Sequence, residues 1–366
     1  MKESVSDSVL PPTKPFEDRR LPEALEQAHA VCVHLVDEVT ALVRDGQRAG
    51  YGSVGFAATE EQRAHLESLS GDALWEWMGA NGLSAERDEL AFRQLVLALA
   101  SDFSSFLLEA LICAGKSKMT VAFSLLRKPL KENLLILEWL LTDRVGFLER
   151  FHGTGPAEYA WRALDQPSRA KVVESALDVV GLGHLDAAFL HDLRYSKQAE
   201  WGLERLWQQA THLVTTFRGL ETEPGNLNFV FSDQDQLAGQ QAGFYTLLLL
   251  PLYAGVSIIE ALFAQSGMIP ERKLATDQLV RALAVASISD AVPSHDDIVG
   301  EIAQIAGSPV SLACASCTEP LRIEGPNFHR FWSSFQLLCS CGSVNSCWDR
   351  FHLEGTEAET RPPPVA

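Results

Sequence analysis

The sequence predicts a mainly α protein: a multi-helix, bundle-like domain with a small β zinc ribbon near its C-terminus. Three observations lead there. From residue 21 to about residue 286, apolar residues recur at intervals of three and four, the period of one helix face. Alternating strand patterns are nearly absent over that stretch, LNFVFS at 227–232 being the one ambiguous piece. Five of the seven cysteines fall between Cys314 and Cys347, in a segment rich in Ser and aromatics that reads as β.

The elements follow in order. Residues 1–20 are polar and Pro-containing and read as a loose tail without the apolar stretch of a secretory signal. Leu25, Ala28, Val31, Leu35, Val39 and Leu42 mark the first helix, and Gly46 stands where a C-cap glycine belongs. After a Gly-rich connection, Thr59 with Gln62 three residues on forms a capping box for the next helix. Further helices are expected at 73–78, 85–115, 117–142, 168–180, 184–194, 200–217, 234–263 and 272–286, with Asp72 and Ser84 as N-caps. The helical domain thus spans 21–290. A linker over 291–307 carries one short helix near 296–305, the ribbon occupies 308–352, and 353–366 is a second polar tail.

Charge narrows the partners. Lys and Arg number 30 against 48 Asp and Glu, a formal charge of −18. Such a surface repels phosphate backbones unless a basic patch offsets it, and no run of Lys and Arg forms one. Nucleic acid is therefore not the expected partner; a protein partner or a second copy of the chain is. The 18 residues from Ala242 to Ile259 carry no charge, which reaches the lower limit for a membrane span. Pro251, Gly243, Gly255, Thr246 and Ser257 interrupt the segment and Glu260 ends it, so a buried core helix is expected and no membrane partner. Clustered cysteines in a chain this long point to a metal site in a reducing, cytoplasmic setting rather than to a disulfide framework.

The cysteines themselves set the chemistry. Cys314-Ala-Ser-Cys317 and Cys339-Ser-Cys341-Gly342 are separated by 21 residues. Two short loops can each present two thiolates to one tetrahedral ion, and Gly342 suits a turn that needs positive φ. PLRIE and SSFQLLC read as strands paired around the EGPN turn. The stretch 308–351 resembles a zinc ribbon. The resemblance implies structural Zn2+ held by Cys314, Cys317, Cys339 and Cys341. The second pair is C-x-C rather than C-x-x-C, so Cys347, His329 and His352 stand as substitute ligands. A site closed by four thiolates is structural rather than catalytic. The ribbon's charges cancel, Arg322, Arg330 and Arg350 against Glu319, Glu324 and Asp349. Its six aromatics, Phe328, Phe331, Trp332, Phe335, Trp348 and Phe351, exceed what so small a fold buries, which calls for packing on the helical domain or on a partner.

Three other constellations invite chemistry. Gly50, Gly52 and Gly55 spell G-x-G-x-x-G, but a helix rather than a strand precedes them, so a connection is expected and not a dinucleotide loop. Glu26–His29 and Glu149–His152 are E-x-x-H pairs of the kind that hold two metals in helical bundles, and a di-metal carboxylate oxidase is one alternative they raise. In the helix over 117–142, Arg127, Lys131 and Glu138 fall within a roughly 40° arc amid leucines. Pro129 should kink that helix and free backbone carbonyls. An Arg on so apolar a helix needs a carboxylate or an anion, and a Lys128–Glu132 surface pair is the simpler use of the stripe. A helix with Arg and Glu embedded in leucines, followed by further amphipathic helices, resembles uncharacterised bacterial all-helical proteins distantly similar to HEPN-type RNases, over about 89–263. The resemblance implies an R-x(4–6)-H nuclease motif, matched here by Arg205 and His212 on a predicted helix and by Arg322 and His329 within the ribbon. The reading carried forward is a helical protein whose structural zinc ribbon serves an interface within or between chains. A HEPN-like, metal-independent RNA nuclease using Arg205 and His212 is its main alternative.

Overall fold

The computed structural model describes residues 21–69, 71–153, 155–216, 221–228, 236–286, 288–289, 313–321, 327, 330 and 336–346. The chain is mainly α with a small C-terminal β element. In order come α1 Glu23–Arg48, α2 Glu60–Leu66, α3 Asp72–Ala80, α4 Ser84–Gly115 and α5 Met119–Lys128. A π-helical turn, Pro129–Asn133, leads into α6 Leu134–Thr142. Then follow α7 Arg144–Gly153, α8 Gln166–Val179, α9 Ala187–Tyr195, α10 Leu203–Thr211, α11 Leu237–Gln265 and α12 Glu271–Ala286. β1 Gln336–Leu338 pairs antiparallel with β2 Val344–Ser346, Leu337 opposite Asn345.

α11 is the centre of the helical domain. It touches α1, α4, α5, α6, α8, α9 and α12. By length and composition both α4 and α11 could cross a membrane, but 78% of the apolar window of α11 is buried inside the fold, as a core helix requires. That is the outcome expected for 242–259. Gly255 permits close approach to α4, since a Cβ there would lie 2.7 Å from Cζ of Phe103.

Several local expectations resolve in physical terms. The Thr59 capping box forms, the Thr59 hydroxyl accepting from the Gln62 backbone and the Gln62 side chain from that of Thr59. Gly46 is not the end of α1. The helix runs on to Arg48, Gly46 packs against Phe263, and the left-handed residue after the helix is Gly50, with φ 68°. The glycine-rich connection is pinned rather than loose. Buried Tyr51 packs on Phe263 at 4.7 Å and bonds Ser266, while Arg93 and Gln94 of α4 donate to the Ser53 and Gly52 carbonyls. α1 leads directly into it, so among the described residues it does not stand between a strand and a helix as a dinucleotide loop does. α7 is absent from the expected helices although its Phe147, Leu148 and Phe151 stand at helical spacing, and the 3-10 turns after it are too short for a periodic stripe. The helix expected over 200–217 stops at Thr211, where His212 turns extended. The expected linker helix at 296–305, both tails and most of LNFVFS lie outside the described residues.

The helix predicted over 117–142 is divided by Pro129. Its ring removes one N–H and crowds the carbonyl four residues back. The chain answers with one widened turn, in which the Leu134 N–H bonds Pro129 O, five residues away. Carbonyls of the widened turn become available to other partners.

Candidate metal centre and buried ion pairs

The four cysteines converge. Their sulfurs all lie within 4.8 Å of one another. Cys314 and Cys341 are 3.7 Å apart, Cys317 and Cys339 3.5 Å. Four sulfurs about 2.3 Å from one ion would stand about 3.8 Å apart at the corners of a tetrahedron, so the spacing fits a tetrahedral metal.

Two knuckles create this spacing. In the first, the Cys314 N–H donates to Glu319 O and the Thr318 N–H to Cys314 O, with Thr318 at φ 63°. In the second, the Cys339 N–H donates to Ser343 O and the Gly342 N–H to Cys339 O. Gly342 sits at φ 87°, the turn for which it was singled out. β1 turns at this knuckle and pairs with β2; 322–326, most of PLRIE and EGPN, lie outside the described residues, so the expected hairpin around EGPN is not among what is described. Buried Asn345 joins the knuckles by accepting the Ala315 N–H at 2.8 Å. Asn327 accepts the Leu338 N–H and donates to its carbonyl, imitating a strand neighbour.

The thiols suit a cation. The Ser343 hydroxyl lies 2.9 Å from the Cys314 sulfur and, with the Ser316 N–H, pulls that thiol down to about 5. Ser343 lowers Cys341 as well. At Cys317 the Glu319 N–H draws the other way, yet the sulfurs of Cys339, Cys341 and Cys314 push the thiol up to about 12. Crowded thiols resist shedding every proton alone, and a divalent ion supplies the missing positive charge. Cys314 and Cys339 are buried, Cys317 and Cys341 exposed. Cys347, His329 and His352 lie outside the described residues, as do the six ribbon aromatics.

The other candidate residues are placed differently. Arg205 is exposed on α10 and His212, also exposed, caps its C-terminus, and no hydrogen bond or ion pair joins their side chains. Arg322 lies outside the described residues. The E-x-x-H pairs do not meet at a metal. His29 bonds the Tyr245 hydroxyl at 2.7 Å, and His152 faces Asp88 at 3.2 Å. Among the described residues, the cysteines form the sole group of three or more His, Cys, Asp or Glu close enough to share an ion.

The stripe on 117–142 becomes a buried ionic network, with a different arginine at its heart. Arg127 stays part-exposed and pairs with Glu132 at 3.5 Å, and Lys128 turns to Asp102 rather than to Glu132. Glu138 and Lys131 are the buried members. Arg194 of α9, 1% exposed, donates Nη1 and Nη2 to the two Glu138 oxygens at 2.5 and 3.0 Å. Its Nε donates to Leu130 O at 2.7 Å, and the Tyr195 hydroxyl donates to Lys131 O at 3.0 Å. Both carbonyls belong to the π turn. Burial opposes the Arg194 charge, yet Glu138 and Tyr195 hold it protonated above its ordinary value. Lys131 meets Glu204 of α10, with the Trp161 ring 4.6 Å from its ammonium. Burial lowers the Lys131 pKa although Glu204 raises it.

A second network fixes α12. Arg281 donates to Glu38 of α1 at 2.9 Å and, on α11, to Glu260 at 2.8 Å and Ser257 at 2.9 Å. Sequence periodicity passes over Arg194, Glu204, Arg281 and Glu38. A single charge inside an apolar run marks Arg281, in LVRALAV, and its partner Glu260, in SIIEAL; Arg194, in HDLRY beside Asp192, carries no such signal.

Compared with protein-family models, curated proteins and solved structures, the chain matches none of them.

Proposed function

We propose that this chain is a non-catalytic, intracellular helical protein in which a structural zinc ribbon organises an interface, within the chain or with a protein partner. One observation carries the reading: four protein sulfurs within 4.8 Å, enough to fill a tetrahedral ion's coordination and leave no open position for substrate. The identity of the ion as zinc rests on the all-sulfur donor set and the tetrahedral spacing. The buried charges of the helical domain support it too. Lys131, Arg194 and Arg281 each face an internal carboxylate, as scaffolding pairs do.

Elemental analysis of the purified chain tests this. We expect one zinc per chain, lost when Cys314, Cys317, Cys339 and Cys341 are changed to Ser, with helical circular dichroism retained. An interface role between chains further predicts a smaller assembly by light scattering in that variant. Iron or manganese near two per chain, retained in the variant, would overturn the reading in favour of the E-x-x-H residues.

A second reading, a HEPN-like RNA nuclease, is supported by the exposure of Arg205 and His212 seven residues apart, which places their Cα atoms on about one side of α10. RNA cleavage by the purified chain that disappears in His212→Ala would favour it. Absence of cleavage, or cleavage unchanged in that variant, would dispose of it.

A further inference from the structure

The geometry points to a redox-releasable metal centre in which Cys314 pairs with Cys341, and Cys317 with Cys339, when peroxide oxidises the ribbon. The inference rests on the zinc reading above and adds a chemical response to it. Each of the two pairs joins one exposed sulfur to one buried sulfur across the knuckles, at 3.7 and 3.5 Å. Peroxide meets an exposed sulfur first, and the buried neighbour is in place to resolve the product.

The steps balance. The exposed Cys341 thiolate attacks hydrogen peroxide, the O–O bond breaks, and a sulfenic acid and hydroxide result. The Cys314 thiolate then attacks that sulfur, the S–S bond forms, and a second hydroxide leaves. Cys317 and Cys339 repeat the sequence with a second peroxide. Four thiolates and two peroxides thus yield two disulfides and four hydroxides. The metal, stripped of its ligands, departs as the divalent ion.

Other pairings fit less well. Linking Cys314 to Cys317 leaves Cys339 to close on Cys341 across a single residue, which strains disulfide geometry. Linking Cys314 to Cys339 joins the two buried sulfurs, neither of which peroxide reaches first. The favoured pairs also tie one knuckle to the other, so a covalent bridge replaces the metal bridge and a dithiol can reverse it.

The test treats the purified, reduced full-length chain with hydrogen peroxide, following zinc with a chromogenic chelator. Disulfides are mapped by fragmentation that cuts between Cys314 and Cys317 and between Cys339 and Cys341. We expect one zinc released per two peroxides, the Cys314–Cys341 and Cys317–Cys339 pairs, and recovery of bound zinc on adding dithiothreitol and zinc. In the double variant Cys314→Ser/Cys341→Ser, the Cys317–Cys339 bond should still form. Sulfinic or sulfonic acid in place of disulfide, bonds within a knuckle, a bond to Cys347, or zinc retained under peroxide would each overturn the proposal. Elemental analysis before oxidation separates the two readings. A chain purified without zinc defeats the zinc reading, and the same mapping on that metal-free chain still decides the pairing.

Discussion

Replacing Arg194 with Met should lower the stability of the helical domain by about 3–5 kcal/mol, one of the two largest losses expected from a single change in the chain. The size comes from what is left behind. Glu138 is 2% exposed and would keep its charge, or take up a proton, with no guanidinium beside it. Leu130 O would lose its donor, and the Tyr195 hydroxyl would lose Nη2. Lys should not rescue the site, because an ammonium cannot reach two carboxylate oxygens and a carbonyl from one fixed fork. The double change Arg194→Met/Glu138→Leu separates the causes. If the loss comes from a stranded charge, the double variant recovers most of it, since a well-packed apolar pair often replaces a buried ion pair at little cost. Urea unfolding of the three proteins measures this. A single variant within about 1 kcal/mol of the parent would show that the network contributes little.

Much of this site was legible in the sequence, but in the wrong currency of partners. The leucine-rich helix, its arc of Arg127, Lys131 and Glu138, and the disruptive Pro129 are all local features, readable from spacing. That Pro129 frees carbonyls also follows from local geometry, and the carbonyls of Leu130 and Lys131 are indeed used. What spacing cannot supply is the element that answers. Arg194 is 56 residues from Glu138, and Glu204 is 73 from Lys131. Arg127 attracts attention in a linear reading because it opens the arc, yet Arg194 holds the buried position because α9 packs against the π turn. The cysteines are the opposite case. Their knuckles are set by short-range turns, so Cys314, Cys317, Cys339 and Cys341 could be chosen from spacing alone. The expected pairing of PLRIE with SSFQLLC lies mostly outside the described residues, and the β1–β2 pairing was not foreseen because it depends on which turn closes a hairpin. β1 turns at the metal knuckle itself, so one local element makes both the ligand loop and the hairpin.

The Arg281 network should give the protein a pH dependence of its own, and Arg281→Met should be as costly as Arg194→Met, about 3–5 kcal/mol near neutral pH. One guanidinium serves two carboxylates, Glu38 and Glu260, with Asp277 beside the second. Lys273 pairs with Asp277 and His34 lies against Glu38, so what sets the two carboxyls apart is burial. Burial pushes Glu260 up to about 7 against the pull of Arg281. Burial also acts on Glu38, but Arg281 and His34 outweigh it and hold that carboxyl below its ordinary value. The two groups therefore act in different windows. Between the unfolded value of about 4.3 and about 7, folded Glu260 keeps a proton that the unfolded chain has released, so stability falls as pH rises through this range and levels off above it. Glu38 acts the other way: its contribution is present above the unfolded carboxylate value and is lost as pH falls through the lower folded value. Glu260→Gln keeps the shape and removes the titration, so the decline from about pH 5 to about pH 7 should flatten in that variant. Arg281→Met should show the reverse emphasis. With two carboxylates stranded, its deficit should be greatest above neutrality and should shrink in mild acid, where both can be protonated. Unfolding free energies of the three proteins across that range decide it, and a parent whose stability is flat from about pH 5 to about pH 7 would show that Glu260 stays ionised throughout, its charge fully answered by Arg281.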